Sequence, residues 1–311
     1  ILFYTPIHLT LQPLNRKIMS GALKEVRNRI KSVQSTQQIT KAMKMVSAAK
    51  LRRAQDAIIQ MRPYALKLQE MLGNIVGNSD GDTSLALARQ RPVEKVLIIV
   101  VTSDRGLCGG YNSNLIKLVK QDIKEKYTAQ SAKGNVEILP LGKKGYEHFS
   151  KNNFKVIDRY WNMFSDLTFE NVVAAAKYAL DAFAKGEIDA VDLVYSEFKN
   201  AATQKFTAEP FLPVKKSESA KGNAKADFIF EPDKNVLLQE LMPKILNTQL
   251  YKAILDAHAS EHGARMTAMD KATENANELL KSLKISYNRA RQAAITTELT
   301  EIVSGAAALQ G

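Results

Sequence analysis

The sequence predicts an α/β protein in which two long terminal helices pair as an antiparallel coiled coil around a middle domain of alternating strands and helices. Three observations predict it. Apolar residues recur at a spacing of about 3.5 over both ends of the chain. A continuous β-branched run, KVLIIVVT, stands at 95–102, as a buried parallel strand requires. Both terminal repeats are far longer than a domain of ordinary size can enclose.

The composition is compatible with that fold. The chain has 311 residues, 45% hydrophobic and 24% charged, with a formal net charge of +12. These proportions belong to a foldable chain, not a disordered one. No stretch of about 18 apolar residues occurs, so the sequence predicts no membrane span. The one cysteine, Cys108, excludes an internal disulfide and fits a reducing compartment.

Residues 1–21 are read as a leader outside the folded body. Arg16 and Lys17 follow the apolar stretch, the reverse of a secretory signal, and one arginine with no serine before Met19 is too few for a mitochondrial one. From Leu23 a single seam runs through Val26, Ile30 and Val33 and resumes at Leu51, Ala54, Ile58 and Met61. Between them four consecutive seam positions are polar: Gln37, Thr40, Lys44 and Ser47. The seam is expected to loosen there and to present an outward contact surface, while Ile39, Met43 and Val46 take a neighbouring face. Pro63 removes one backbone donor and is a candidate kink. The C-terminal seam runs from Leu238 through Leu255, Met266 and Met269 to Tyr287. At about 1.5 Å per residue, 22–75 spans roughly 80 Å and 236–304 roughly 100 Å. Helices of that length are expected to project from the middle and pair antiparallel. The expected organisation is a leader at 1–21, helices at 22–78 and 233–311, and an α/β domain at 79–232.

Within the middle, strands are expected at 95–102, 136–141, 191–196 and 204–212, the last two as an edge pair. Helices are expected at 112–127 and 169–184, and the polar stretch 215–227 as a surface loop.

Candidate chemistry is sparse. SDRGLCGG at 103–110 lies between a strand and a helix, where a phosphate-binding loop would sit. Gly106, Gly109 and Gly110 match neither G-x-G-x-x-G nor G-x-x-x-x-G-K-[ST], so a tight turn is the favoured reading. His258-Ala-Ser-Glu261-His262 has the H-x-x-E-H order of inverted zinc peptidases, and two histidines at i and i+4 share a helix face. A catalytic zinc also needs a third ligand and a cleft, so no metal is assigned. Cys108 has no neighbouring histidine and reads as a small turn residue. The sequence therefore assigns no catalytic residue, no cofactor and no metal. Charge is more telling: residues 22–62 carry ten basic and two acidic side chains. Such a helix fits nucleic acid or an acidic protein surface, and composition leaves those readings level.

LKEVRNRIKSVQSTQQITKAMKMVSAAKLRR at 23–53, SDRGLCGG, and YNRARQAAITTELTEIVSGAAA at 287–308 together resemble the gamma subunit of the F-type ATP synthase, in its bacterial form. The resemblance covers residues 22–311. It implies that the paired terminal helices form the central shaft inside a hexamer of alpha and beta subunits. It also implies a Rossmann-like domain at the base, near the epsilon subunit and the c-subunit ring. Proton flow would turn the shaft, and the shaft would drive the beta catalytic sites through their states, with no catalytic residue of its own. No nucleic acid and no membrane insertion are implied, and the location is the cytoplasmic face of the bacterial membrane. By their place in the motifs, Met43 and Lys44 fall where the family's shaft meets an acidic loop of beta. Arg291, Gln292, Thr296, Glu298 and Thr300 match contacts between upper shaft and beta. The family often has an acidic residue where Lys44 stands, so the local charge balance differs here.

Overall fold

The computed structural model describes residues 12–77, 86–201, 203–214 and 234–310. The expected surface loop at 215–227 and the first half of the expected leader lie outside the described residues. Packing divides the chain into two compact units. One comprises Ile1–Lys44 with Met269–Gly311, the other Met45–Ala268.

In the second unit a five-stranded sheet has the order β3-β2-β1-β4-β5. Its strands are β1 (Val96–Val101), β2 (Val136–Leu141), β3 (Lys155–Val156), β4 (Ala190–Phe198) and β5 (Gln204–Leu212). β1 pairs in parallel with β2 and β4, β2 in parallel with β3, and only β5 runs antiparallel, against β4. Each expected strand is present. β5 alone forms that edge, since β4 is held between β1 and β5.

Alternation along β1 builds two cores. Leu97, Ile99 and Val101 face α5 (Phe169–Ala184), whose Val172, Ala176 and Phe183 are fully enclosed. Val96, Ile98 and Val100 face α2 (Tyr111–Lys126), through Leu115, Val119 and Ile123. A strand buried on both faces must read as an unbroken apolar run, and VLIIVV does. Two short helices, α3 (Thr128–Ala132) and α4 (Lys143–Lys151), complete the crossovers together with β3. The sequence reading contained none of these three.

The helix at the N-terminal end, α1, runs over Gln12–Gly77 and continues through Pro63. It therefore begins inside the stretch read as a leader. The C-terminal helix, α6, runs over Lys234–Gln310. Not all of α6 stands clear of the α/β body, contrary to expectation. Leu246, Leu250, Ala253, Ile254 and Ala257 are buried in the same core as Leu97 and Phe183. The α5 face of the sheet is wider than one helix can cover, and residues 246–257 of α6 supply the rest. α1 joins this unit through Leu51 and Ala54, which enclose Ala259.

In the first unit α1 and α6 pair antiparallel, as expected. Arg27 donates to the Tyr287 hydroxyl at 2.8 Å, and the Thr40 and Thr273 hydroxyls are 2.7 Å apart. As numbers rise along α1, those of the partners on α6 fall.

One glycine is indispensable to the sheet. Gly142, at the end of β2, has φ +140°, and a Cβ there would lie 2.2 Å from the Thr102 carbonyl oxygen. Backbone cannot yield as a flexible side chain does, and the dihedral itself is strained for an L-residue. Gly142→Ala should destabilise the α/β unit by at least about 2 kcal/mol. Urea unfolding monitored by far-UV circular dichroism would measure it, and an unchanged midpoint would refute the close approach.

Candidate functional site

The residues singled out by sequence fall into two groups of the first unit, and the structure does not bring them together. Asp270, opposite Lys44, stands about 30 Å along α6 from Arg291 at 1.5 Å per residue. Met43 and Lys44 are half-buried on α1, whereas Arg291, Gln292, Thr296, Glu298 and Thr300 are all exposed on α6.

Lys44 has a partner within its own chain. Its Nζ donates to Asp270 Oδ1 at 2.5 Å, with both side chains about four-tenths exposed. The polar seam is therefore not the loosened, outward surface expected from sequence. Gln37 donates to the side-chain oxygen of Asn277, Thr40 meets Thr273, and Lys44 meets Asp270. Thr40 and Ser47 are buried. The physical reason is complementarity: Gln37, Thr40 and Lys44 each meet a polar position of α6, so neither helix need turn these side chains away. What faces outward is the neighbouring apolar set, with Ile39 and Val46 each 57% exposed.

The upper group lies on a helix face whose character the motif did not convey. Ile295, Leu299, Ile302 and Val303 are exposed and recur at steps of three and four, an apolar stripe on the same turns as Thr296, Glu298 and Thr300. The Thr296, Thr297 and Thr300 hydroxyls donate to main-chain carbonyls of Gln292, Ala293 and Thr296, at 2.8–3.0 Å. The apolar spacing was legible in the sequence; its exposure was not.

In the second unit the turn after β1 is built from its own side chains. Asn112 Nδ2 donates to Ser103 Oγ at 2.7 Å, its Oδ1 accepts from the Ser103 amide, and Ser103 Oγ donates to the Arg105 carbonyl. Cys108 is buried against this set. The turn's interior is occupied, consistent with the tight-turn reading. Leu107 is held at φ +64°, and Leu107 is 64% exposed.

The same turn is braced from α6. Arg265 Nη2 donates to the carbonyls of Arg105 and Gly106 at 3.0 and 3.3 Å, while its Nη1 pairs with Glu261. Beside it, His258 and His262 place their Nε2 atoms 3.1 Å apart. Burial is the first cause lowering both imidazoles, His258 to about 4 and His262 to about 3, with Lys50 and Arg265 adding to it. Both rings are neutral at physiological pH. Burial also raises the Glu261 carboxyl, against the pull of Arg265. Glu261 is engaged by Arg265 and is not a free general base.

A cleft lies between α1, the end of β4 and α6, lined by Arg62, Glu197, Lys199, Lys252 and Asp256 among apolar residues. Asp256 is buried, and burial pushes its carboxyl up to about 6, with Lys252 pulling the other way.

Solved structures similar to this chain share its fold. A chain of the Euglena gracilis mitochondrial ATP synthase, in the OSCP/F1/c-ring assembly, superposes with TM-score 0.63 at 20% identity, covering 93% of this chain and 95% of that one. A chain of the Tetrahymena thermophila mitochondrial ATP synthase central stalk/c-ring superposes with TM-score 0.55 at 23% identity, covering 75% and 99%. These are likenesses of fold. Sequence carries the finer assignment. A family model described as ATP synthase matches residues 22–309. The ATP synthase gamma chain of Flavobacterium johnsoniae is 53% identical over 289 residues, covering 93% of this chain and 99% of the relative. That of Chlorobium phaeobacteroides is 50% identical over 293 residues, covering 94% and 99%. The chain belongs to the ATP synthase gamma chain family.

The buried Asp256 gives a pH prediction. Its carboxyl binds a proton more tightly folded than unfolded, so the stability it contributes is present below about pH 4 and is lost as pH rises through about 6. Asp256→Asn should remove that loss. Variant and wild type should nearly match at pH 4 and diverge by about 3 kcal/mol at pH 7.5, the variant being the more stable. Chemical denaturation at both values tests the sign, and a less stable variant at pH 7.5 would contradict it.

Proposed function

We propose that this chain is the central rotating shaft of an F-type ATP synthase, coupling proton flow through a membrane ring to ATP synthesis at beta-subunit sites. The carrying observation is family membership across residues 22–309, joined to the antiparallel pairing of α1 and α6. The chain itself performs no catalysis in this reading; the chemistry belongs to the beta subunits. Its partners are the alpha and beta subunits, the epsilon subunit and the c-subunit ring. No helix among the described residues is long and apolar enough to cross a membrane, which accords with peripheral attachment through that ring. We assign the cytoplasmic face of a bacterial membrane, the source of the similar gamma chains being bacterial.

The nucleic-acid reading of the basic N-terminal helix is set aside, since the family accounts for its motifs. In the proposed organisation residues 22–78 and 233–311 serve as the shaft and 79–232 as its foot. Met43 and Lys44 form one contact with beta. Arg291, Gln292, Thr296, Glu298 and Thr300 form another, now supported by the exposed apolar stripe that accompanies them.

Purification of the native complex tests the assignment: the chain should co-elute with alpha and beta subunits. Lys44 tests the contact role more sharply. Lys44→Glu removes an exposed ion pair and sets a second carboxylate beside Asp270; at this exposure each effect is only about 0–1 kcal/mol, so assembly should persist and Tm should fall only slightly. ATP synthesis or hydrolysis-driven pumping should change. The double variant Lys44→Glu/Asp270→Lys restores the internal pair with its polarity reversed. A contact with beta predicts that the double variant stays defective. Full recovery of coupling would show that Lys44 acts only within its own coil.

A further inference from the structure

The H-x-x-E-H motif was given no metal because a third ligand was missing, yet the structure brings three donors together on consecutive turns of α6. His258, Glu261 and His262 each offer a ligand atom, and these atoms all lie within 4.8 Å of one another. The two Nε2 atoms, 3.1 Å apart, are close to the separation of about 3.3 Å that two zinc–imidazole bonds span at a tetrahedral centre. Arg265 takes Oε1 of Glu261 and leaves Oε2, which lies 4.0 Å from His262 Nε2. That oxygen is the one donor of Glu261 not taken by Arg265 Nη1.

We propose that His258, Glu261 and His262 form a binding site for one divalent transition-metal ion of the zinc class, with an open fourth position for water. Two imidazoles and one carboxylate are a borderline-soft set that selects Zn2+ or Co2+ over Mg2+ or Ca2+. The cation replaces the Nε2···Nε2 hydrogen bond, so both ring protons reside on Nδ1. Arg265 gives up its 3.4 Å contact with His262 Nδ1 and keeps Glu261 and the carbonyls of Arg105 and Gly106. Access is from the side of His258, the one ligand of the three that is not fully buried. Its ring stacks on Phe164 at 5.6 Å between centroids, which fixes the imidazole plane before any ion arrives. Arg265 and Lys50 are positive neighbours of the same histidines and oppose the cation, weakening its binding. The site is one of binding and not of hydrolysis, because Glu261 serves as a ligand and as the partner of Arg265.

The test uses the purified full chain without a polyhistidine tag, titrated with Co2+ at pH 7.5. One equivalent should bind with the visible absorption of a tetrahedral cobalt centre, and Zn2+ should displace it. His258→Gln and Glu261→Gln should each weaken binding by about tenfold or more. X-ray absorption of the cobalt-loaded wild type needs no variant and should count two imidazoles on the metal. Absence of stoichiometric binding, fewer than two imidazoles, or binding that survives either substitution would overturn the site.

Discussion

The register between α1 and α6 is the constraint on which the paired helices depend. A seam built only of Leu, Ile, Val and Ala holds two helices together but tolerates a slip by one heptad, because every layer resembles the next. Polar layers remove that degeneracy. Thr40 against Thr273, Lys44 against Asp270 and Gln37 against Asn277 match in one alignment only. A shift would separate all three pairs at once, although the Thr40 hydroxyl would keep its bond to the Gln37 carbonyl within α1. The individual bonds are modest; what they confer is uniqueness of alignment.

That role explains where sequence reasoning succeeded and where it stopped. The 3.5-residue repeats declared the two helices and their pairing, since nothing else demands such a pattern over so many turns. Four polar residues in a row on one helix read as a weakness until their counterparts are seen. Thr273 follows Met269 by four and keeps the seam spacing, but Asp270 and Asn277 do not, and their alignment with α1 is a property of the pair. Strands β1, β2, β4 and β5 were legible as apolar or β-branched runs. β3 has only two residues, and α4, KKGYEHFSK, buries only Gly145 and Phe149, too little for a helical period to register. The early turns of α6 showed their apolar face in the sequence. That this face covers a sheet followed only from the sheet's two-sidedness.

The buried polar groups of α6 were the least legible of all. In the sequence His262 stood out only through its motif, while Glu261 and Arg265 gave no hint of reaching the turn after β1. Their placement is costly taken singly. Glu261 is buried, and stripping it of Arg265 would leave an uncompensated charge worth about 3–5 kcal/mol. Taken together they tie a loop carrying a positive-φ leucine to a long rigid helix through two carbonyl acceptors. Such backbone strain persists only where its surroundings over-determine it, and here both Arg265 and the Ser103–Asn112 pair do so.

The threonines near the end of α6 give this chemistry a different turn. Read as letters, TTELT is polar; in the helix three of its hydroxyls are spent on carbonyls one turn back. Beside them Ile295, Leu299, Ile302 and Val303 are exposed, so these turns offer their surroundings few hydroxyl donors. Such a surface can press against a neighbour without gripping it at a preferred angle. For an axle, that amounts to a built-in lubricant.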